Sequence, residues 1–459
     1  MKQVTVFGAV VVMAVSGMAR ADITPVPICT ASGAQLPAID GDWIVWHDAR
    51  EGSSNNNIFG YILSEPNEVV ICDVGGNQRY PSVSGNVVVW QDERDGQMDI
   101  YAFDLLEREP LALPGMPNKD NINQRYPKIS GDLILYEQDM GSSVFNVFVY
   151  DMTTGITERV SASAVNQGNS AIDGTIVVWA EGSRIYWRDL NTSNPAAPVS
   201  NSGQSQLFPA VGGGWILWIE AGDGWDVYGY NIAEDAVSVV VGGPGDQNRV
   251  AISGSIVVYQ ETPTGYSNSD IRAVDIDSGA EYAIAVNSAF KDRFPSISGR
   301  RIVWERSANQ TGVYLAELPT PTTLEVDAPA AGETFLAGKA MEIMWYLVEG
   351  NAPVTVKIDY STDGGVSWQP VQGAESVPFA DEYYLWEPIA DVDSQTFRVR
   401  ISDTAPGSSA SAMSGAFTVF QCDPALTADL TGDCRVDIAD FAVMAAQWLT
   451  SGNPYDPTW

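Results

Sequence analysis

Five oxygen-bearing side chains near the C-terminus stand at a spacing that could hold a metal ion. Asp429, Thr431, Asp433, Asp437 and Asp440 occupy positions 1, 3, 5, 9 and 12 of one loop. Calcium takes six to eight oxygen ligands, and this spacing wraps them around one ion, with the backbone carbonyl of Arg435 at position 7. The expected cofactor is therefore calcium. Val436, at position 8, is expected to face inward. A helix should follow from Ile438 to Leu449, with Ile438, Phe441, Ala445 and Trp448 near one face. Cys422 and Cys434 flank a short loop and are expected to pair, fastening the calcium loop to the segment before it. The bland alternative is an acidic turn without a metal.

Other chemistry is thinner. His47 is the only histidine, so a multi-histidine zinc or manganese site is excluded. It is expected at the surface. No Gly-x-Ser-x-Gly nucleophile elbow occurs. Asp48, Asp92, Asp139, Glu181, Glu220, Glu261 and Glu305 each follow an apolar run. A facing pair of such carboxylates could hydrolyse a glycoside. With 58 acidic residues in the chain, two lying near each other is weak support for that.

These acids sit in a repeat. Gln78-Arg79-Tyr80-Pro81-Ser82-Val83-Ser84-Gly85 leads into Val87-Val88-Val89-Trp90, and related stretches recur. The repeated glycines are Gly41, Gly85, Gly131, Gly174, Gly213, Gly254 and Gly299. Five residues after each stands an aromatic: Trp46, Trp90, Tyr136, Trp179, Trp218, Tyr259 and Trp304. Seven copies spaced 39 to 46 residues apart indicate a β-propeller or a solenoid. Each unit reads as four strands. The second is almost wholly apolar, as expected of a strand covered on both faces. The seventh unit lacks its fourth strand before Pro319. Pro25 to Thr30 sits where such a strand belongs, so the N-terminal strand is expected to close the ring.

Seven residues before the glycine stand Gln78, Gln124, Gln167, Gln206 and Gln247, and Arg79, Arg125 and Arg293 follow that position in three copies. Two readings apply: a ligand ring at a channel mouth, or hydrogen bonding between blades. The second is favoured, because buried polar groups need partners. Cys29 and Cys72 occupy equivalent places in successive units, too far apart to bridge, and are expected to be free thiols.

The chain opens like a secretory signal: Lys2, an apolar stretch from Val4 to Val15, then Ala19-Arg20-Ala21. No later apolar run reaches the roughly 18 residues of a membrane helix. The net charge of −34 argues against nucleic acid. The expectation is a secreted, extracellular or cell-surface protein without a membrane span.

The repeat resembles the TolB-like propellers, which carry a Pro-x-(Ile/Trp)-Ser-(Pro-Asp)-Gly turn before an apolar strand and then an Asp-Ile-Tyr strand. Here the turn is shortened to Ser84-Gly85, and Asp99-Ile100-Tyr101 follows. After Pro319 the period stops, and short alternating strands predict a β-sandwich. The hairpin from Val356 to Trp368 resembles bacterial immunoglobulin-like or fibronectin-type-III-like modules. Ser361-x-Asp363-x-Gly365-x-Ser367-Trp368 also matches the Asp-box of sialidases, read here as a turn device. Residues 429–440 resemble one repeat of a type I dockerin. Asp440 fits that pattern at position 12, while Cys434 replaces the usual glycine at position 6 and a second calcium repeat is missing. The resemblance implies calcium binding and, less directly, docking to a cohesin-like partner.

The expected organisation is a signal peptide (1–21), a seven-bladed β-propeller (22–319), an immunoglobulin-like sandwich (320–420) and a dockerin-like module (421–459), all-β except for one helix. The propeller is expected to bind a glycan or a protein, with the C-terminal end as tether. The alternative is a carbohydrate-active enzyme in polysaccharide breakdown.

Overall fold

The computed structural model describes residues 23–451, apart from 53–54, 117–120, 162, 223, 288, 308–309, 406–407, 409, 423–425 and 432–433. The expected signal peptide and Asp433 lie outside the described residues. The described chain forms two compact units, divided between Leu318 and Pro319.

The first unit is built from seven four-stranded antiparallel sheets among the described residues. The first sheet comprises Ala34–Asp40, Trp43–Asp48, Asn57–Ile62 and Asn67–Cys72. Each later sheet opens on the strand that contains the glutamine or its substitute, from Gln78–Ser84 through Lys291–Ser298. The last sheet takes its fourth strand from the other end of the chain: Val26–Cys29 runs antiparallel to Gly312–Glu317, with Val26 opposite Leu315.

The repeated glycine turns because it must. Gly85 has φ +54° and Gly131 φ +55°, conformations that a β-branched residue resists. The apolar second strands are covered on both faces: Ile44, Val45 and Trp46 are fully buried, as are Ile302, Val303 and Trp304. Each such side chain contributes about 1.5–3 kcal/mol by leaving water. In six of the seven sheets the aromatic of the second strand stacks on an aromatic directly opposite in the third, as with Trp90 and Tyr101, or Trp218 and Tyr228, with centroids 6.3 and 6.1 Å apart; in the sixth, Tyr259 faces Arg272 instead.

One side-chain link recurs between neighbouring sheets. The residue before each glycine accepts the amide of the next sheet's glycine. Asp40 Oδ2 takes Gly85 N–H at 2.7 Å, and Ser84 Oγ takes Gly131 N–H at 3.1 Å. Ser130 takes Gly174, Asp173 takes Gly213, and Ser253 takes Gly299. Ser298 Oγ takes Gly41 N–H at 3.1 Å, which joins the last sheet to the first. At the remaining junction the acceptor position is Gly212, which has no side chain. There the backbones of Gly213 and Gly254 approach so closely that a Cβ on Gly213 would collide with the Gly254 carbonyl. The first unit is a β-propeller.

The second unit contains a three-stranded sheet, Thr323–Ala328, Met341–Glu349 and Tyr383–Trp386, and a larger sheet that includes Thr355–Ser361, Ser394–Asp403 and Phe417–Phe420. Both contribute to one core, in which Ile343 and Trp345 meet Val356, Phe397 and Phe417. Met341, Ile343 and Trp345 alternate with exposed neighbours, the pattern of a strand with one wet face. Asp363 organises its hairpin: it accepts from Ser361 Oγ at 2.7 Å and from the Ser367 amide at 2.8 Å. The Asp-box residues thus spend their polar groups on the turn. Trp345 and Trp386 belong to the core, and Trp368 is half-buried beneath the Arg400 guanidinium. Among the described residues the one α-helix, Ile438–Ser451, begins where the sequence places it.

Candidate functional site

The glutamines are not an open ring. Gln78, Gln124, Gln167, Gln206 and Gln247 are all buried. Each stands directly opposite a polar residue at the end of the second strand: Gln206 faces Glu220, and Gln167 faces Glu181. Gln206 Nε2 donates to Glu220 Oε2 at 2.8 Å, while its carbonyl accepts the Ile185 amide of the preceding sheet at 2.9 Å. Gln167 repeats this with Glu181 at 2.7 Å and with the Val147 amide at 3.0 Å. In their satisfied orientations, the Gln78 amide donates to the Asn56 carbonyl at 2.9 Å and that of Gln247 to the Trp225 carbonyl at 2.8 Å. The Gln124 backbone amide donates to Met98 of the preceding sheet at 2.7 Å. Each glutamine whose bonds are resolved ties its own sheet to the one before.

The acids after the second strands share these networks. Trp90 Nε1 donates to Asp92 at 2.8 Å, and Trp218 Nε1 to Glu220 at 2.8 Å. Arg50 and Arg94 reach back to Asp48 and Asp92, and each also donates to a cysteine of the neighbouring sheet, Cys29 at 3.3 Å and Cys72 at 3.1 Å. Both cysteines are free and buried, and burial pushes the Cys29 thiol up to about 11. In the fourth sheet, Glu181 also accepts from Ser163 Oγ at 2.7 Å, beside a cavity of about 460 Å³ lined by Trp179, Tyr186 and Arg188.

The arginines are half-buried. Arg125 Nε donates to Glu137 at 2.9 Å and its guanidinium stacks 3.5 Å from the Phe145 ring centre. Arg293 pairs with Glu305, and Arg79 lies against Asn77 at 3.2 Å. Burial raises the Glu137 carboxyl, with Arg125 working against the shift.

His47 is not at the surface. It is 4% exposed, with its ring 5.9 Å from that of Tyr80 in the next sheet. Burial first, and Arg79 second, bring its pKa down to about 4. It is neutral at pH 7, and no partner reaches its Nδ1 among the described residues.

At the C-terminal loop, Cys422 and Cys434 form a disulfide with Cα atoms 5.1 Å apart. Their sulfurs lie near Asp429, but joined to each other they are not thiolate ligands. Cys434 has φ +66°, so it takes the left-handed conformation that glycine would adopt freely at position 6. Its amide donates to Asp429 Oδ2 at 2.7 Å. Asp437 caps the helix, accepting the Ala439 amide at 2.8 Å, and Asp440 returns to the Asp437 amide at 2.8 Å, a reciprocal capping pair. Asp440 Oδ1 also accepts from the Leu430 and Thr431 amides and from Thr431 Oγ1, all at 2.9 Å. Backbone hydrogen bonds, Asp437 first, hold the Asp440 carboxyl down at about 2. Thr431 Oγ1 lies 3.3 Å from Asp429 Oδ1. Asp429, Thr431 and Asp440 therefore converge, while Arg435 is exposed. Val436 is exposed too, against the expectation that it faces inward: among the described residues no buried core cluster includes a side chain of this loop.

No known family model matches the chain, and no curated protein matches it. Among solved structures, puromycin hydrolase is similar over 69% of this chain and 60% of its own, with 11% identity and a TM-score of 0.50. The β-propeller domain of the Trilobed protease from Pyrococcus furiosus aligns over 62% of this chain and 94% of its own, with 12% identity and a TM-score of 0.49. TolB from Acinetobacter baumannii aligns over 62% of this chain and 78% of its own, with 13% identity and a TM-score of 0.36. The aligned part spans about half to two-thirds of the puromycin-hydrolysing enzymes. At these identities the puromycin hydrolase likeness concerns the fold alone, and it agrees with the propeller built from the sheets above.

Proposed function

We propose that the chain is an exported binding protein. A seven-bladed, TolB-like propeller closed by the N-terminal strand serves as a platform for a glycan or a protein. An immunoglobulin-like sandwich follows, and a dockerin-like end over residues 421–459 binds calcium and tethers the molecule to a cohesin-like or cell-surface partner.

The observation that carries this reading is the C-terminal loop and the helix after it. Asp429, Thr431 and Asp440 gather their side-chain oxygens within 3.3 Å links, and Asp440 is held ionised. Oxygen donors and carboxylates suit a hard cation, so the residues present fit calcium. Asp429, Thr431, Asp433, Asp437 and Asp440 would hold it, with the Arg435 carbonyl. Bound calcium would neutralise the crowded carboxylates and fix the loop against the helix. The helix leaves Ile438 79% and Phe441 56% exposed. Apolar side chains in water on a short helix fit a surface that another molecule covers.

The platform reading is supported by how the acids of the propeller are used. Asp48, Asp92, Glu181 and Glu220 each accept hydrogen bonds from side chains of their own sheet or its loop. The test is a screen of the full chain against polysaccharides and cell-surface extracts, with and without calcium, with product analysis for cleavage. Retention without cleavage, with the surface fraction lost under chelation, is expected. Release of shortened glycans would overturn the binding reading in favour of hydrolysis.

A further inference from the structure

The first two sheets of the propeller hold an arginine in the same cradle. Arg50 and Arg94 each stand nine residues after the repeated glycine, Gly41 or Gly85. Each guanidinium lies on the aromatic of its own third strand, 4.0 Å from the Phe59 centroid and 4.1 Å from that of Tyr101. Each donates to the acid after the second strand, Asp48 or Asp92, and to a cysteine of the preceding sheet's outer strand, Cys29 or Cys72. In the last sheet Arg306 reaches an equivalent arrangement from another position, 4.4 Å from the Tyr314 centroid and bonded to Asp292 at 2.7 Å. Three times in one propeller, an acid and a ring face together receive a guanidinium.

The fourth sheet, formed by Gln167–Asp173, Ile176–Glu181, Arg184–Asp189 and Ala197–Pro198, keeps the cradle and lacks the cation. Glu181 is its acid, Tyr186 its ring, and Ser161 holds the place of the cysteine. Ser183 stands where Arg50 and Arg94 stand in their sheets. Trp179 stacks on Tyr186 with centroids 6.2 Å apart, as Trp90 does on Tyr101, but no guanidinium among the described residues covers the Tyr186 ring. The strand's own arginines do not fill the gap: Arg184 is exposed, and Arg188 is tied to Glu158 at 2.8 Å and to the Val160 carbonyl at 2.9 Å. The cavity of about 460 Å³ lies here, bordered by Glu181, Tyr186, Ser161 and Ser163. Its volume is that of a small-molecule site. The outer strand of this sheet has only two residues, and the loop at residues 193–196 borders the cavity beside it.

The hydrogen bonds show the same gap. A carboxylate offers about four acceptor sites. Asp48 accepts four hydrogen bonds, one from Trp46 and three from Arg50. Asp92 also accepts four, from Gln78, from Trp90 and two from Arg94. Glu181 accepts two among the described residues, from Ser163 and Gln167. Asp48, Asp92, Glu137, Glu261 and Glu305 each pair with an arginine, whereas Glu181 and Glu220 pair with none among the described residues. Glu220 still receives the Trp218 indole at 2.8 Å. The buried Trp179 indole, which also borders the cavity, has no partner. The set around Glu181 is therefore the incomplete one, and it is the one beside the cavity.

We propose that this cavity takes a guanidinium from outside the chain, which lies on the Tyr186 face and donates to Glu181 as Arg94 does on Tyr101 and Asp92. The ring face attracts the cation, and the carboxylate supplies charge-assisted hydrogen bonds. A planar guanidinium meets both at once, which a compact ammonium does not. The net charge of −34 draws a cation toward the molecule. The guanidinium can be an arginine side chain of a bound protein or part of a free guanidino compound. This assignment rests on the platform reading in taking the propeller as a binding unit.

The experiment is calorimetric titration of the full chain with agmatine and with a short blocked peptide centred on arginine. The same peptide carrying citrulline, the neutral isostere, is the control. At least one guanidinium probe is expected to bind and the citrulline peptide not to. Binding of the arginine peptide assigns a protein ligand, and binding of agmatine alone a small guanidino compound. Glu181→Gln should weaken binding roughly tenfold or more, the value of a charged hydrogen bond. Ser183 is exposed, so Ser183→Arg keeps the fold; it installs the residue of the first two sheets, fills the cradle from within and should abolish binding. Binding of neither guanidinium probe, equal binding of the citrulline peptide, or unchanged affinity in Ser183→Arg overturns the site. A surface fraction retained equally by the native chain and Ser183→Arg, without guanidinium binding, would remove this site while leaving the platform reading standing. Guanidinium binding with nothing retained in the wider screen would do the reverse.

Discussion

Asp292 and Arg306 face each other across the first two strands of the last sheet, with Arg306 Nε donating to Asp292 Oδ1 at 2.7 Å and the second guanidinium nitrogen to Oδ2 at 3.0 Å. These are the places that Gln206 and Glu220 hold in the fifth sheet. The last sheet has moved its acid to the first strand and put a cation in the acid's place. Trp304 Nε1 follows the acid across and donates to Asp292 at 2.9 Å, as Trp218 does to Glu220.

That exchange predicts a double-mutant result. Arg306→Ala leaves Asp292 buried and unpaired, at a cost of about 3–5 kcal/mol. Asp292→Gln together with Arg306→Glu recreates the pair of the fifth sheet and should recover most of the loss. Urea unfolding of the two variants measures this. A double variant no more stable than Arg306→Ala would show that the two positions are not interchangeable.

His47 gives a pH prediction with a defined sign. Its pKa is about 4 in the folded chain against an ordinary 6.5, so the unfolded chain takes up the proton first as pH falls. Stability from the neutral ring is fully present above pH 6.5 and is lost as pH falls from there toward 4, by on the order of 3 kcal/mol. His47→Gln, which copies Gln91 and Gln260, should remove that step. Because the chain has one histidine, its ring proton signal reports directly. A midpoint near 6.5 would contradict the buried environment.

The cysteines predict a thiol count. Cys29 and Cys72 are buried and free, with burial raising both thiols, while Cys422 and Cys434 are bridged. An aromatic disulfide reagent should find almost no thiol in the native chain at pH 8 and two in denaturant without reductant. Fast labelling of either cysteine in the native chain would contradict the packing against Arg50 and Arg94.

Much of the propeller was legible in the sequence, because it rests on residues with one physical use. Gly85 must turn, Val88 and Trp90 must be covered on both faces, and the missing strand after Glu317 had Val26–Cys29 to complete it. The pairing of Gln206 with Glu220 could have been read from their symmetric distance about Gly213, and the Asp292–Arg306 exchange would have been its confirmation. The left-handed bulge in the first strands, at Tyr126 with φ +52° and Phe208 with φ +51°, was hidden, since these are not residues that announce positive φ. The surface expectation for His47 fails because its place after Trp46, where Gln91 and Gln260 stand in other units, says nothing of the neighbouring sheet that brings Tyr80 over it. In the C-terminal loop, oxygen spacing was visible, but the second duty of Asp437 and Asp440 as a helix-capping pair emerged only from hydrogen bonds.

The most direct test of the tether is calcium titration of the full chain by calorimetry, compared with Asp429→Ala. Asp429 joins Thr431 and the Cys434 amide without taking part in the helix cap, so its loss leaves the helix start intact. One calcium per chain is predicted to bind, with binding abolished or weakened by roughly 100-fold or more in the variant, about 3 kcal/mol. No heat of calcium binding to the native chain, or the same binding by Asp429→Ala, would contradict the calcium-dependent tether.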